Sequence, residues 1–314
     1  MKLKNLKGSL MLLVATVIWG TAFVFQEEAA ELGAFTLNGL RYILGGIILI
    51  PLVLVSNKTT RNKPDYTPIP FKKTFVAGVL CGTALAVAAN LQQFGIMFNA
   101  SLASGDSGKA GFITAMYIIF VPLIVCIGGK RPTPSVVLSV LTGVGGLYLI
   151  SVKSGFSIAV GDLLLLLCAL GFSFHIMTVD RYVSKADPIA LSSVQFFTVG
   201  VISFVLAFIF EFEDFSLSAV SDAVLPILYL GIMSSGVAYT LQVLGQKYSE
   251  ATVASLVMSM ESLFAMLAAC IFYNKTPTCR EAIGCGLMLA AIFMIQTPFV
   301  DALFNKLRRK AAVK

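Results

Sequence analysis

A carboxylate in the middle of an apolar run is the first feature of this chain whose type and place could do chemistry. Glu261 lies ten or eleven residues into the run 251–272, with the small or adaptable Ala254, Met258 and Ala265 as helical neighbours. A charge held away from water is costly, so it faces a cavity, a partner or a transport path. Glu261 can hold a substrate ammonium group, carry a proton, or pair with a buried cation. Arg41 sits one to two turns inside another apolar run, on a stripe with Asn38, Tyr42 and Gly45. It reads as a gate or as an anchor for helix-end carbonyls. Lys109, one turn beyond Asp106, forms a local ion pair, snorkels to the outer interface, or touches substrate.

Uncharged polar groups extend the set. Asn90, Gln92 and Gln93, with Gln242 in the second half, place amides in mirrored thirds of a bilayer. Such amides join membrane helices at about 0.6–2 kcal/mol each. Asn90 and Gln93 share a face with Phe94 and Met97 and are better substrate-binding candidates than Gln92. His175, the one histidine, is either an interior hydrogen bonder or a proton carrier. Trp19, Tyr117 and Tyr239 are candidate cavity walls, with core packing as the alternative.

The same inventory excludes much. One histidine and six cysteines without a CxxC pair, most inside apolar runs, make neither a metal site nor a disulfide framework. No Gly-rich phosphate loop is present, so no ATP hydrolysis and no cofactor is expected. A lipid or isoprenoid enzyme needs Asp, His or Lys clustered near one interface, and only scattered single residues exist. No catalytic residues, and no nucleic-acid partner, are expected.

These residues are carried by a chain of 314 residues, 57% hydrophobic and only 12% charged, which is the balance of an integral membrane protein. A helix spans the hydrocarbon in about 20 residues, and uniformly apolar runs of that length do not suit barrel strands. Ten spans are expected, at about 9–27, 36–55, 74–96, 106–127, 135–152, 160–179, 189–210, 224–245, 251–272 and 280–298. Pro64, Pro68, Pro70, Pro132, Pro134 and Pro188 punctuate them. The basic N-terminus followed by an apolar run to Phe25 reads as an uncleaved first helix, being too long for a signal peptide. Lys and Arg in alternate loops number eighteen against three, which places both termini in the cytoplasm. Gly78, Gly82, Gly143, Gly146, Gly284 and Gly286 are read as sites of close helix crossing. The basic run Lys306–Lys310 is a topology signal and a contact for anionic membrane lipids.

The chain also repeats. Leu91-Gln92-Gln93-Phe94-Gly95 matches Leu241-Gln242-Val243-Leu244-Gly245, and Pro132-Thr133 matches Pro277-Thr278, each eighteen residues before an isoleucine, Ile150 or Ile295. Helix one, through Ile18–Phe23, matches helix six, through Leu170–His175, more weakly. Five helices per half is an odd number, so the second half is inverted. The expected fold is all-α and integral to the membrane: residues 1–152 and 153–298 as inverted five-helix repeats, then a basic cytoplasmic tail, 299–314. Inverted repeats place a cavity where the halves meet near mid-bilayer and permit alternating access. A carrier needs that symmetry; a facilitative channel is the alternative.

These segments resemble the drug/metabolite transporter superfamily, specifically the ten-helix EamA-type transporters with two EamA repeats. The resemblance rests on Trp19-Gly20, Leu40-Arg41-Tyr42, Lys109–Thr114 leading to Pro122, Thr142–Gly146, Gly161-Asp162, Met260-Glu261-Ser262 and Gly284. It covers nearly the whole chain. The Gly-Glu-Arg type loops of the family are replaced by Gly129-Lys130-Arg131 and Tyr273-Asn274-Lys275, and the proline common after the glutamate is Ser262. The resemblance implies a cell-membrane transporter, bacterial in type, for small metabolites, amino acids or drugs. Independently of the resemblance, the placing of Glu261 within an apolar run makes it the candidate coupling residue, with protons the candidate coupling ion.

Overall fold

The computed structural model describes residues 3–61, 69–100, 107–129, 131–151, 159–213, 215–272, 276–297 and 300–301. Lys2, Lys63, Pro64, Pro68, Asp106, Lys130, Lys153, Asp214, residues 273–275 and those beyond Asp301 lie outside them. Among the described residues every regular element is helical. In chain order these are α1 (Leu3–Glu28), α2 (Ala34–Arg61), α3 (Phe71–Ala100), α4 (Ser107–Thr114), α5 (Tyr117–Ile127), α6 (Pro134–Ser151) and α7 (Val160–Tyr182). There follow α8 (Pro188–Phe210), α9 (Leu217–Asp222), α10 (Val224–Leu228), a π-helical segment (Tyr229–Tyr239), α11 (Thr240–Gln246), α12 (Ala251–Met258), α13 (Glu261–Phe272) and α14 (Cys279–Gln296).

Eight helical stretches among the described residues are long and apolar enough to cross a membrane, including 109–127, 224–246 and 251–272, each assembled from more than one element. The helix Pro134–Ile150 is shorter but apolar. The protein is a multi-pass membrane protein. Its surface fits that solvent: Leu141, Phe208 and Ile271 are exposed, while Asn38, Gln93, Arg41 and Glu261 are buried. Polar groups face inward because lipid offers them no hydrogen bonds.

With no hydrophobic drive between helices in lipid, close van der Waals contact at small residues holds the bundle. A β-carbon on Gly95 of α3 would lie 2.7 Å from Leu165 Cγ and 2.9 Å from the Gly161 carbonyl oxygen of α7. On Gly245 of α11 it would lie 2.8 Å from Leu12 Cγ and 3.0 Å from the Gly8 carbonyl oxygen of α1. The two crossings correspond: 150 residues separate the glycines, and 153 separate Gly8 from Gly161 and Leu12 from Leu165. At a third, Gly146 of α6 and Gly284 of α14 oppose one another, each leaving under 3 Å to the other's carbonyl oxygen. Gly78, Gly82 and Gly143 are also tight. Gly286, expected at a crossing, has nothing within 4 Å of such a β-carbon. It lies two residues from Gly284 and so turns to a different face of α14.

Two expected single helices are broken, in the same way. At the α4–α5 junction Met116 N donates to Ile113 O and Ile118 N to Ala115 O; at the α12–α13 junction Met260 N donates to Val257 O and Ser262 N to Ser259 O. These i→i−3 bonds tighten the chain locally. The patterns coincide at a shift of 144 residues. Neither break contains glycine or proline, so the sequence carries no marker for them.

On one side of the molecule Glu211, at the end of α8, caps α2. Its carboxylate accepts from Phe35 N (2.9 Å), Thr36 N (2.8 Å) and Thr36 Oγ1 (2.8 Å). A carboxylate suits the unpaired N–H groups and positive dipole end of a helix. Glu211→Ala is expected to cost about 1–2 kcal/mol, as losing a good N-cap does, and Glu211→Gln less. Thermal unfolding in detergent checks the order.

Candidate functional site

The breaks bring together two residues that the sequence holds 144 apart. Tyr117 opens α5 and Glu261 opens α13, and the Tyr117 hydroxyl donates to Glu261 Oε1 at 2.8 Å. Both are buried. Glu261 lies in the first turn of α13, where the helix dipole favours an anion. Ser262 Oγ donates to the Gly111 carbonyl oxygen at 2.7 Å, joining α13 to α4 beside the break.

A narrow cavity lies against this pair. Its walls include Trp19, Phe23, Gln26, Arg41, Gln92, Tyr117, Phe172, Ile176, Ser234, Tyr239, Gln242, Met258 and Glu261. Much of the lining corresponds between halves. Trp19 matches Phe172 and Phe23 matches Ile176 at the 153-residue shift of Gly8 and Gly161, and Gln92 matches Gln242 at the 150-residue shift of Gly95 and Gly245. The space open to the centres of water-sized molecules is about 30 Å³, room for about two waters. An organic solute enters only if the walls part.

The aromatic wall is continuous. Trp19 and Tyr239 have ring centroids 4.8 Å apart, and Tyr42 lies 5.9 Å from Tyr239. Trp19 Nε1 donates to the Ser234 carbonyl oxygen at 3.4 Å. Ser234 and Tyr239 belong to the π-helical segment, whose wider turn shifts side-chain positions; such segments are frequent at functional sites.

Four of the candidates named from the sequence, Trp19, Tyr117, Tyr239 and Glu261, line this cavity. Arg41, read as a gate or anchor, lines it too. The other four lie elsewhere. Asn90 exchanges hydrogen bonds with Asn38, Ser203 and the Ala86 carbonyl oxygen. Gln93 accepts from Gln26 Nε2 at 3.0 Å and donates to the Gln26 carbonyl oxygen at 3.1 Å, tying α3 to α1. His175 is buried, with Nε2 3.2 Å from Gln195 Oε1 and its ring edge toward Tyr239. Lys109 pairs with Asp162 of α7 at 2.7 Å.

Asp162 also accepts from Asn99 Nδ2 (3.0 Å) and from Ala159 N (2.8 Å), so it caps α7 and joins α3, α4 and α7. Lys109→Met leaves this buried carboxylate without its cation, at an expected cost of about 1–3 kcal/mol, reduced from a fully buried pair because Lys109 is partly exposed. The melting temperature should fall, and Lys109→Arg should restore it. Gln92 and Gln242, read from the sequence as mirrored amides, line the cavity where Asn90 and Gln93 do not, and Gln26 was passed over in the sequence.

A family model of the EamA-like transporters matches residues 6–152 and again 159–297. The chain belongs to the EamA-like transporter family. It is a membrane transporter. Among relatives of this EamA-like protein, an uncharacterized transporter of Archaeoglobus fulgidus is 26% identical over 298 residues, covering 93% of this chain and 86% of its own. A chloroplastic WAT1-related protein of Arabidopsis thaliana is 24% identical, over 89% of this chain and 67% of its own. The uncharacterized transporter YoaV of Bacillus subtilis is 21% identical, over 92% and 96%. A crystal structure at 19% identity superposes with a TM-score of 0.72 over 94% of this chain and 98% of that one, a likeness of fold.

Proposed function

We propose that this EamA-like protein is a secondary-active carrier of small organic metabolites, amino acids or related amphipathic solutes, working by alternating access across the cell membrane. In this reading ten helices cross the membrane as two inverted five-helix repeats with both termini in the cytoplasm. The observation that carries it is the pair of matching breaks, with Tyr117 and Glu261 joined across the halves beside a cavity lined by corresponding residues. Interrupted helices at equivalent places in two repeats, flanking a central cavity, suit a binding site about which the halves rock.

The parts divide the work. Trp19, Phe23, Phe172 and Tyr239 offer aromatic faces to an apolar body or a cation. Gln26, Gln92 and Gln242 offer amides. Glu261 takes a positive group of the cargo or a proton, with Tyr117 donating to its carboxylate; Tyr239 and Arg41 are the other ionisable groups facing the cavity. Opening toward either side flexes the chain at the α4–α5 and α12–α13 breaks, where i→i−3 bonds replace part of the regular helical pattern. Ion or solute gradients supply the energy.

The test is uptake of labelled neutral and aromatic amino acids into proteoliposomes, with and without the same amino acids unlabelled inside. Saturable uptake accelerated by preloading is expected. Non-saturable flux, indifferent to preloading, points to a channel. No uptake by folded protein removes amino acids from the reading.

A further inference from the structure

We propose that Arg41 is the subsite for a carboxylate of the cargo, which makes the preferred cargo an amphoteric amino-carboxylate with an apolar body. This rests on the carrier reading above. Arg41 reaches the cavity from α2, is only 2% exposed, and lines it together with Gln92 and Tyr239. Its Nε and one Nη have no hydrogen-bond partner. Among the described residues the ion-paired basic side chain is Lys109, and no carboxylate stands within 4 Å of Arg41. Its close neighbour is instead the face of the Tyr42 ring, 4.8 Å from Cζ.

A guanidinium withdrawn from water and left unpaired costs several kcal/mol. An anchoring role would offset that cost with helix-end carbonyls, but those two nitrogens meet none. They point instead to an acceptor that arrives with the cargo. A guanidinium presents its N–H groups as a planar fork that fits a carboxylate with two parallel hydrogen bonds.

The rest of the cavity completes the description. Glu261, from the other half of the chain, supplies negative charge for an amine. Trp19, Phe23, Phe172, Ile176 and Met258 supply apolar walls. A solute with both charges and an apolar side chain satisfies all three features. A simple amine leaves Arg41 unpaired, and a simple acid leaves Glu261 unpaired.

The test measures inhibition of labelled leucine counterflow by unlabelled leucine, by isopentylamine, which lacks the carboxylate, and by 4-methylpentanoate, which lacks the amine. Wild-type protein should favour leucine over isopentylamine at least tenfold. In Arg41→Gln that preference should vanish, leucine losing affinity while isopentylamine does not; Arg41→Lys should recover part of it. The wild-type comparison stands even if the glutamine variant does not fold. Saturable leucine exchange without preference over the amine, or a preference retained in folded Arg41→Gln, overturns the assignment and leaves the carrier standing. Saturable exchange of other solutes, but not leucine, overturns the amino-carboxylate class. No saturable exchange of any solute by folded protein overturns the carrier reading, and the assignment with it.

Discussion

Glutamine at position 261 should reduce transport of an amine-bearing cargo by about 10–100-fold and leave the residual rate independent of pH. The substitution keeps the shape and the oxygen that accepts from Tyr117 Oη, so the break between α12 and α13 stays supported. What it removes is the charge. A charge-assisted hydrogen bond contributes about 1.5–3 kcal/mol, which gives the factor stated at about 1.4 kcal/mol per decade. The sign with pH follows. Protonating Glu261 abolishes the charge that holds an ammonium group, so acidification should weaken cargo binding in the wild type toward the level of the variant. Tyr117→Phe removes one donor and should cost about three- to tenfold. Counterflow rates at several pH values, on protein shown to be monodisperse by gel filtration, check both. Wild-type transport that is flat with pH takes the proton role from Glu261.

Valine at position 20 should be the most destabilising single change in the bundle. A β-carbon on Gly20 would lie 2.5 Å from Phe264 Cβ, 2.6 Å from Phe264 C and 2.7 Å from Ala265 N. Two of those atoms are main chain, so no rotamer change relieves the clash, and α1 must move off α13 one turn beyond Glu261. Overpacking of this kind costs about 3 kcal/mol, equivalent to a fall of about 6–12 °C in melting temperature for a protein of this order of size. Gly145→Ala is the control. No atom lies within 4 Å of a β-carbon there, and a change of under about 0.5 kcal/mol is expected. Thermal unfolding of both variants in one detergent decides the matter. Equal melting temperatures would contradict the tight α1–α13 crossing.

Several properties were legible without any coordinates, because they depend on composition over windows of about twenty residues. Partition into a bilayer is such a property, and so the membrane class and the helical character followed from the apolar runs. Repetition is another: Leu91–Gly95 against Leu241–Gly245 already paired the glycines that the structure places at corresponding crossings. Glu261 was conspicuous for the same reason, as a charge where the window average permits none.

Direction and partnership were not legible. Gln92 and Gln93 are adjacent amides in one run that both accept from Gln26 of α1, yet Gln92 lines the cavity and Gln93 does not. Gly145 and Gly146 are adjacent glycines, and only the second meets Gly284. A step of one residue turns a side chain about 100° around the helix axis, and only the neighbouring helices determine which direction is inward. Lys109 finds Asp162, 53 residues away. Arg41 is buried at the cavity with no carboxylate within 4 Å, and Tyr117 meets Glu261 from beside two breaks that the sequence does not mark. Entry of these helices into a membrane, and the doubling of the chain, are written in the run of residues. Which residues face the cavity is settled by packing, because contacts between distant segments have no trace in local hydropathy.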